Sequence, residues 1–98
     1  MSYPEKMREA WRLELLKLLA SLPGSESGQY FLYTCMTEGE LPPPSADQVA
    51  SELAWLADQG LLSLRESREL SNASITQRGL DVAEGRARVP GVARLRPA

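Results

Sequence analysis

SADQVASELAWLADQGLLSLRESRELSNASITQRG, residues 45–79, is the stretch whose reading decides the fold. Ser45 followed three residues later by Gln48 has the spacing of a capping box, in which each side chain bonds the other residue's backbone N–H and opens a helix. Val49, Leu53 and Leu56 recur at helical spacing, with Ala46, Ala50 and Ala57 in support, and Gly60 is the expected left-handed stop. Leu62 and Leu64 then alternate with Ser63 and Arg65, the period-two pattern of a half-buried strand. Glu66-Ser67-Arg68-Glu69 reads as a polar turn, and Ala73 and Ile75 alternate again on the way back. Thr76 is placed to cap a short last helix in which Leu80, Ala83 and Ala87 face inward. A two-stranded ribbon does not hold by itself in water, so this hairpin must lean on helices.

Moving toward the N-terminus, Gly39 to Pro44 is a turn stiffened by Pro42-Pro43-Pro44, which fix an extended spacer. Gln29 to Glu38 reads as a second helix with Phe31, Leu32, Cys35 and Met36 on its inner face and Tyr30 and Tyr33 at its flanks. Thr34 and Thr37 lower its intrinsic helicity, so packing has to hold it. Ser25 to Gly28 is expected to be a polar linker. The first helix spans Glu5 to Leu22, with Ser2 and Glu5 at capping-box spacing and Pro4 tolerated in the first turn. Met7, Trp11, Leu15, Leu18, Leu19 and Leu22 form its stripe, widened by Leu13 and Leu16, until Pro23-Gly24 stops it. At 1.5 Å per residue it is about 27 Å long, enough to extend past a small core and offer a dimer surface. Trp11 on this helix and Trp55, beside the stripe of the third helix, are the candidate partner or dimer contacts. Beyond Pro90 regular structure is expected to end. The division is a domain at 1–88 and a flexible basic tail at 89–98.

Composition limits the chemistry. A chain of 98 residues, 43% hydrophobic and 24% charged, is an ordinary single globular domain with one compact core. The first helix carries Arg8, Arg12, Glu14 and Lys17, so it is neither a signal peptide nor a membrane span, and a cytoplasmic location is expected. One cysteine, Cys35, and no histidine exclude an internal disulfide, a zinc finger and any nucleophile activated by histidine. Cys35 falls on an apolar helical face and reads as core. The Asp residues at 47, 58 and 81 are too dispersed for a calcium loop, so neither metal nor cofactor is expected. Asn72-Ala73-Ser74 matches a glycosylation sequon that has no secretory context. The chain is not expected to be an enzyme.

The net charge of −2 conceals an asymmetry. Up to Leu64 four cations face nine acids, a balance of −5, whereas from Arg65 onward seven arginines face four acids, a balance of +3. A polyanion would therefore meet the hairpin and the C-terminal segment first.

The run from Val49 to Gly79, with Leu53-Ala54-Trp55-Leu56, Gln59-Gly60-Leu61-Leu62 and Ile75-Thr76-Gln77-Arg78-Gly79, resembles winged-helix regulators of the ArsR, MarR and PadR kinds. The whole chain is similar to a family of small winged-helix proteins encoded by Mu-like bacteriophages and prophages. That likeness adds Gly79-Leu80-Asp81-Val82-Ala83, Gly85-Arg86 and the Val89-Pro90-Gly91-Val92 ending. It implies a mainly α fold with a small two-stranded β-wing (α+β): a winged helix-turn-helix of three helices, a hairpin and a short C-terminal helix. It also implies a phage origin, and no known activity.

Two functions follow as expectations. In the first, the protein binds double-stranded DNA, weakly or as an accessory in transcriptional regulation. Gln48 and Ser51 on the third helix would meet base edges, and Arg65, Arg68, Arg78, Arg86 and Arg88 would meet phosphates. Arg94 and Arg96 extend the same basic run. In the second, the domain is a protein-protein interaction module of a phage assembly or regulatory complex, binding a partner or a second copy of itself. Between Pro44 and Leu64 there is no Lys or Arg, whereas Asp47, Glu52 and Asp58 would be repelled by phosphate. The third helix is thus open to three readings: a core helix with a solvated acidic face, a base reader, or a protein-facing surface.

Overall fold

The computed structural model describes residues 3–68 and 70–95. The order of elements among them is α1 (Tyr3–Ser21), a 3-10 turn (Pro23–Ser25), β1 (Glu26–Gly28), α2 (Gln29–Thr37), α3 (Ala46–Asp58), β2 (Leu62–Ser67), β3 (Leu70–Ile75) and α4 (Gln77–Ala83). The architecture is α+β: four helices and one antiparallel sheet among the described residues, in strand order β1-β3-β2.

The decisive stretch folds as its local chemistry requires. Ser45 Oγ accepts from the Gln48 backbone N–H at 3.1 Å, while the Ser45 N–H donates to Gln48 Oε1 at 2.7 Å, so both halves of the capping box are made. Val49, Leu53 and Leu56 are buried, and Gly60 ends the helix at φ +76°. The β2–β3 hairpin pairs Leu62 with Ile75 through Ser67 with Leu70. Arg68 turns it at φ +54°, the left-handed geometry that two-residue hairpin loops need. Thr76 Oγ1 accepts from the Gly79 N–H at 3.1 Å, opening α4, and donates to the Gly60 carbonyl at 2.8 Å, closing the base of the hairpin.

The sheet corrects the expected two-stranded wing. The stretch expected as a linker contributes β1, which pairs with β3 through Glu26–Ser74, Ser27–Ala73 and Gly28–Asn72. A hairpin leaves β3 with an unpaired edge, and these three extended residues cover its Asn72–Ser74 stretch. Ser27, paired opposite Ala73, is buried, which no apolar alternation announces.

The core gathers Trp11, Leu15, Leu16 and Leu19 of α1, Leu32 and Met36 of α2, and Val49, Leu53 and Leu56 of α3, closed by Leu61, Leu62 and Ala73. Phe31 departs from its expected place and is 51% exposed. Leu32 and Met36, four residues apart, set the inner face of α2, and Phe31 lies about 100° around the helix from Leu32. Cys35 is half-buried at the flank, and Tyr33 packs against the core instead.

The segment after α4 also differs from the expected tail. Val89 is buried and Val92 packs on the core. The Ala93 N–H donates to the Glu9 carbonyl at 3.1 Å, and the Arg12 guanidinium donates to the Gly91 carbonyl at 2.9 Å. Ser2, Glu69 and Arg96, which entered the cap, turn and tail expectations, lie outside the described residues.

Candidate nucleic-acid interface

The candidate DNA-facing residues fall into two groups. Arg65 stands on β2 opposite Asn72, Arg68 occupies the hairpin turn, and both are exposed. Ser51 is exposed on α3, as is Gln48 in its first turn, although the Gln48 carbonyl oxygen is already held by the Ser45 N–H. These elements meet at one groove, where Gln29, Tyr30 and Tyr33 of α2 and Ala46 of α3 face Arg65 and Asn72 of the hairpin. No carboxylate lines it among the described residues, and the Glu26 carboxylate accepts from the lining Asn72 amide at 2.9 Å.

Of the second group, Arg78 and Arg86 are engaged in the fold. Arg78 Nη1 donates to the Gln59 carbonyl at 2.9 Å, placing a cation on the C-terminal end of α3, where the helix dipole favours it. Arg86 donates to Asp81 Oδ1 through Nε at 3.2 Å and Nη2 at 2.9 Å, and it also pairs with Glu84. The Arg86 hydrogen bond, followed by one from Gln77, holds the Asp81 carboxyl below its ordinary range. Arg88 is exposed and lines a separate cleft with Arg94, Glu84 and Leu95. Only Arg65 among the candidate arginines lines the groove.

Both tryptophans, the candidate partner contacts, make contacts within the chain. Trp11 is 7% exposed and its indole N–H donates to the Pro42 carbonyl at 2.9 Å, anchoring the proline turn to α1. Trp55 is half-buried, covered by the Arg12 guanidinium 3.9 Å above its ring and by Gly91. Its amphipathic ring thus meets a cation and a backbone turn of its own chain.

Among the acids of the third helix, Glu52 is 2% exposed and does not stand on a solvated face. Its Oε1 accepts from Arg12 Nε at 2.6 Å and its Oε2 from Arg8 Nε at 2.9 Å. One signal in the sequence pointed this way: Arg8 and Arg12, four residues apart on α1, form a like-charge pair that needs an acid from another element. Asp47 and Asp58 remain exposed on α3. Tyr30 and Tyr33, placed earlier at the flanks of α2, are the groove residues that the sequence did not single out. Their rings lie 6.2 Å apart and tilted by 46°. Among the described residues no cluster of three acidic or cysteine side chains is set to hold a metal ion, and no helix is long and apolar enough to cross a membrane.

The structure thus defines a small α+β domain in which a hairpin and two helices flank a groove whose described lining carries one cation and no acid. No family model matches the chain, and no solved structure does. It is 37% identical over 91 residues to the uncharacterized protein gp26 of Escherichia phage Mu, with 93% of each chain covered. The chain belongs to the family of that phage protein.

Proposed function

We propose that this phage-family protein is a winged-helix domain that binds double-stranded DNA with its hairpin side, in an accessory or regulatory role inside the host cytoplasm. The order helix, strand, helix, helix, hairpin, with β3 between β1 and β2, supports the winged-helix reading. The DNA reading rests on one observation: among the described residues, the lining of the groove between the hairpin and the starts of α2 and α3 includes Arg65 and no carboxylate. Arg68 adds a second exposed cation at the hairpin turn. The burial of Glu52 against Arg8 and Arg12 removes an acid from the approach to phosphate. The role is binding, not catalysis.

Fluorescence anisotropy with a labelled mixed-sequence duplex tests this. Two phosphate contacts predict binding at low salt that weakens about tenfold when salt rises from about 50 to about 200 mM. An absence of binding at the lower salt overturns the reading.

A second reading, a protein-interaction module, is favoured by the exposed apolar side chains Tyr30 (78%), Phe31 (51%) and Leu70 (74%). Tyr30 and Leu70 border the same groove. Light scattering after size exclusion, with and without DNA, separates the two: a concentration-dependent dimer lost in Phe31→Ser or Leu70→Ser supports the protein partner.

A further inference from the structure

We infer that the DNA seats in the groove between α2 and the hairpin, with Tyr30 as a contact residue, and that binding reads the backbone instead of base sequence; this rests on the DNA reading above. The stripe that α3 presents outward is Asp47, Ser51, Ala54 and Asp58, all exposed and spaced to share one face. Two carboxylates bracket two side chains too short to reach far into a groove. Gln48 is the one residue there with a base-reading pattern, and adenine recognition uses both ends of the amide. Its Oε1 is committed to the Ser45 N–H at 2.7 Å, so a bidentate contact would dismantle the cap of its own helix. Direct readout from α3 therefore opposes the fold, and phosphate approach along α3 opposes its charge.

The groove has the opposite character. Arg65 supplies a cation, Gln29 supplies an amide, and Tyr30 supplies an exposed ring beside Tyr33, whereas the Asn72 amide is already held by Glu26 Oε1 at 2.9 Å. Donors of these kinds suit phosphate oxygens, which carry no sequence information. Complementarity of charge thus selects the sugar-phosphate backbone of a duplex as the occupant.

The test uses the full chain and competition by unlabelled AT-rich, GC-rich and mixed duplexes of equal length. The three should compete within about threefold of one another, as expected where phosphates supply the affinity. Tyr30→Ala and Arg65→Ala should each weaken binding to all three alike, and Arg65→Ala should reduce the salt slope by about one. Ser51→Ala should change affinity less than twofold, on the scale of a residue making no contact (~1-fold). Both Tyr30 and Arg65 are exposed, so circular dichroism should show the variants folded. Tyr30→Phe assigns the effect to the hydroxyl if it behaves like the alanine variant. A preference above about tenfold for one duplex, of the size base contacts give, overturns the inference and leaves DNA binding standing. So does a loss in Ser51→Ala larger than that in Tyr30→Ala. Failure of the unaltered protein to bind any duplex at low salt overturns both, and self-association through Leu70 would then assign the groove to protein.

Discussion

Glu52 is held at the centre of the molecule by two arginines from another helix, and its ion pair with Arg12 is buried on both sides. Such a pair contributes little net stability while intact, because desolvation offsets attraction, but removing one partner strands the other. In Glu52→Ala, Arg12 would keep the Gly91 carbonyl and the Trp55 face yet lose its counter-charge. The expected loss is about 3 kcal/mol, seen as a lower urea midpoint with an unchanged slope. A second single-residue constraint lies at Gly79, in the first turn of α4. A Cβ there would sit 2.0 Å from the Leu61 carbonyl oxygen and 2.7 Å from Ile75 Cγ1. The first of these is backbone at the base of the hairpin and cannot swing aside. Gly79→Ala should therefore cost about 3 kcal/mol or more despite alanine's better helix propensity, with a thermal melt as the readout.

At the scale of elements, what could be read from sequence is what is encoded within a few residues. The capping box of Ser45 and Gln48, the left-handed Gly60 and the Thr76 cap were all legible because each partner lies within four positions. Ser45→Ala should lower stability by about 1 kcal/mol, the usual worth of a helix cap, in chemical denaturation. β1 was not legible, because Glu26-Ser27-Gly28 is made a strand by the free edge of β3, more than forty positions along the chain. Glu52 escaped for the same reason, since its partners lie 40 and 44 positions away. The groove was half legible: Arg65 announced itself by charge, whereas Tyr30 acquired meaning only when α2 was set beside the hairpin. In α4, local electrostatics predict a pH effect. Asp81 is held below its ordinary pKa by Arg86 and Gln77, so its folded value lies beneath its unfolded one. The stabilisation it contributes is present above the unfolded value of about 3.9 and is lost as pH falls through the depressed folded value. Asp81→Asn should lower the melting temperature slightly near neutrality and flatten its decline at acid pH. The difference between the two proteins should shrink in high salt.

Over the whole molecule, the C-terminal segment acts as a clasp. It returns across α1 and α3: Val89 and Val92 enter the core, Ala93 bonds the Glu9 carbonyl, and Gly91 lies against Trp55 under the hand of Arg12. Gly91 has φ +96°, and a Cβ there would come within 2.7 Å of the Trp55 ring, so the close approach of chain to indole requires glycine. The composition of residues 89–98 suggests a tail because two valines are few for a segment to bury. They are enough when the opposing surface already presents a half-covered tryptophan and a cation seeking a carbonyl. The clasp also bears on the network around Glu52, since Arg12 touches Glu52, Trp55 and Gly91 at once. Truncation after Arg88 should therefore do more than remove loose chain. Losing the burial of the valines and the Gly91 bond should cost about 2–4 kcal/mol in urea denaturation. Trp55 would lose one of its covers while Trp11 stays buried beneath Pro42, so tryptophan emission should shift to the red only in part. An unchanged midpoint and emission maximum would mean that the segment contributes nothing to the core, and that Glu52 and Trp55 suffice to hold Arg12.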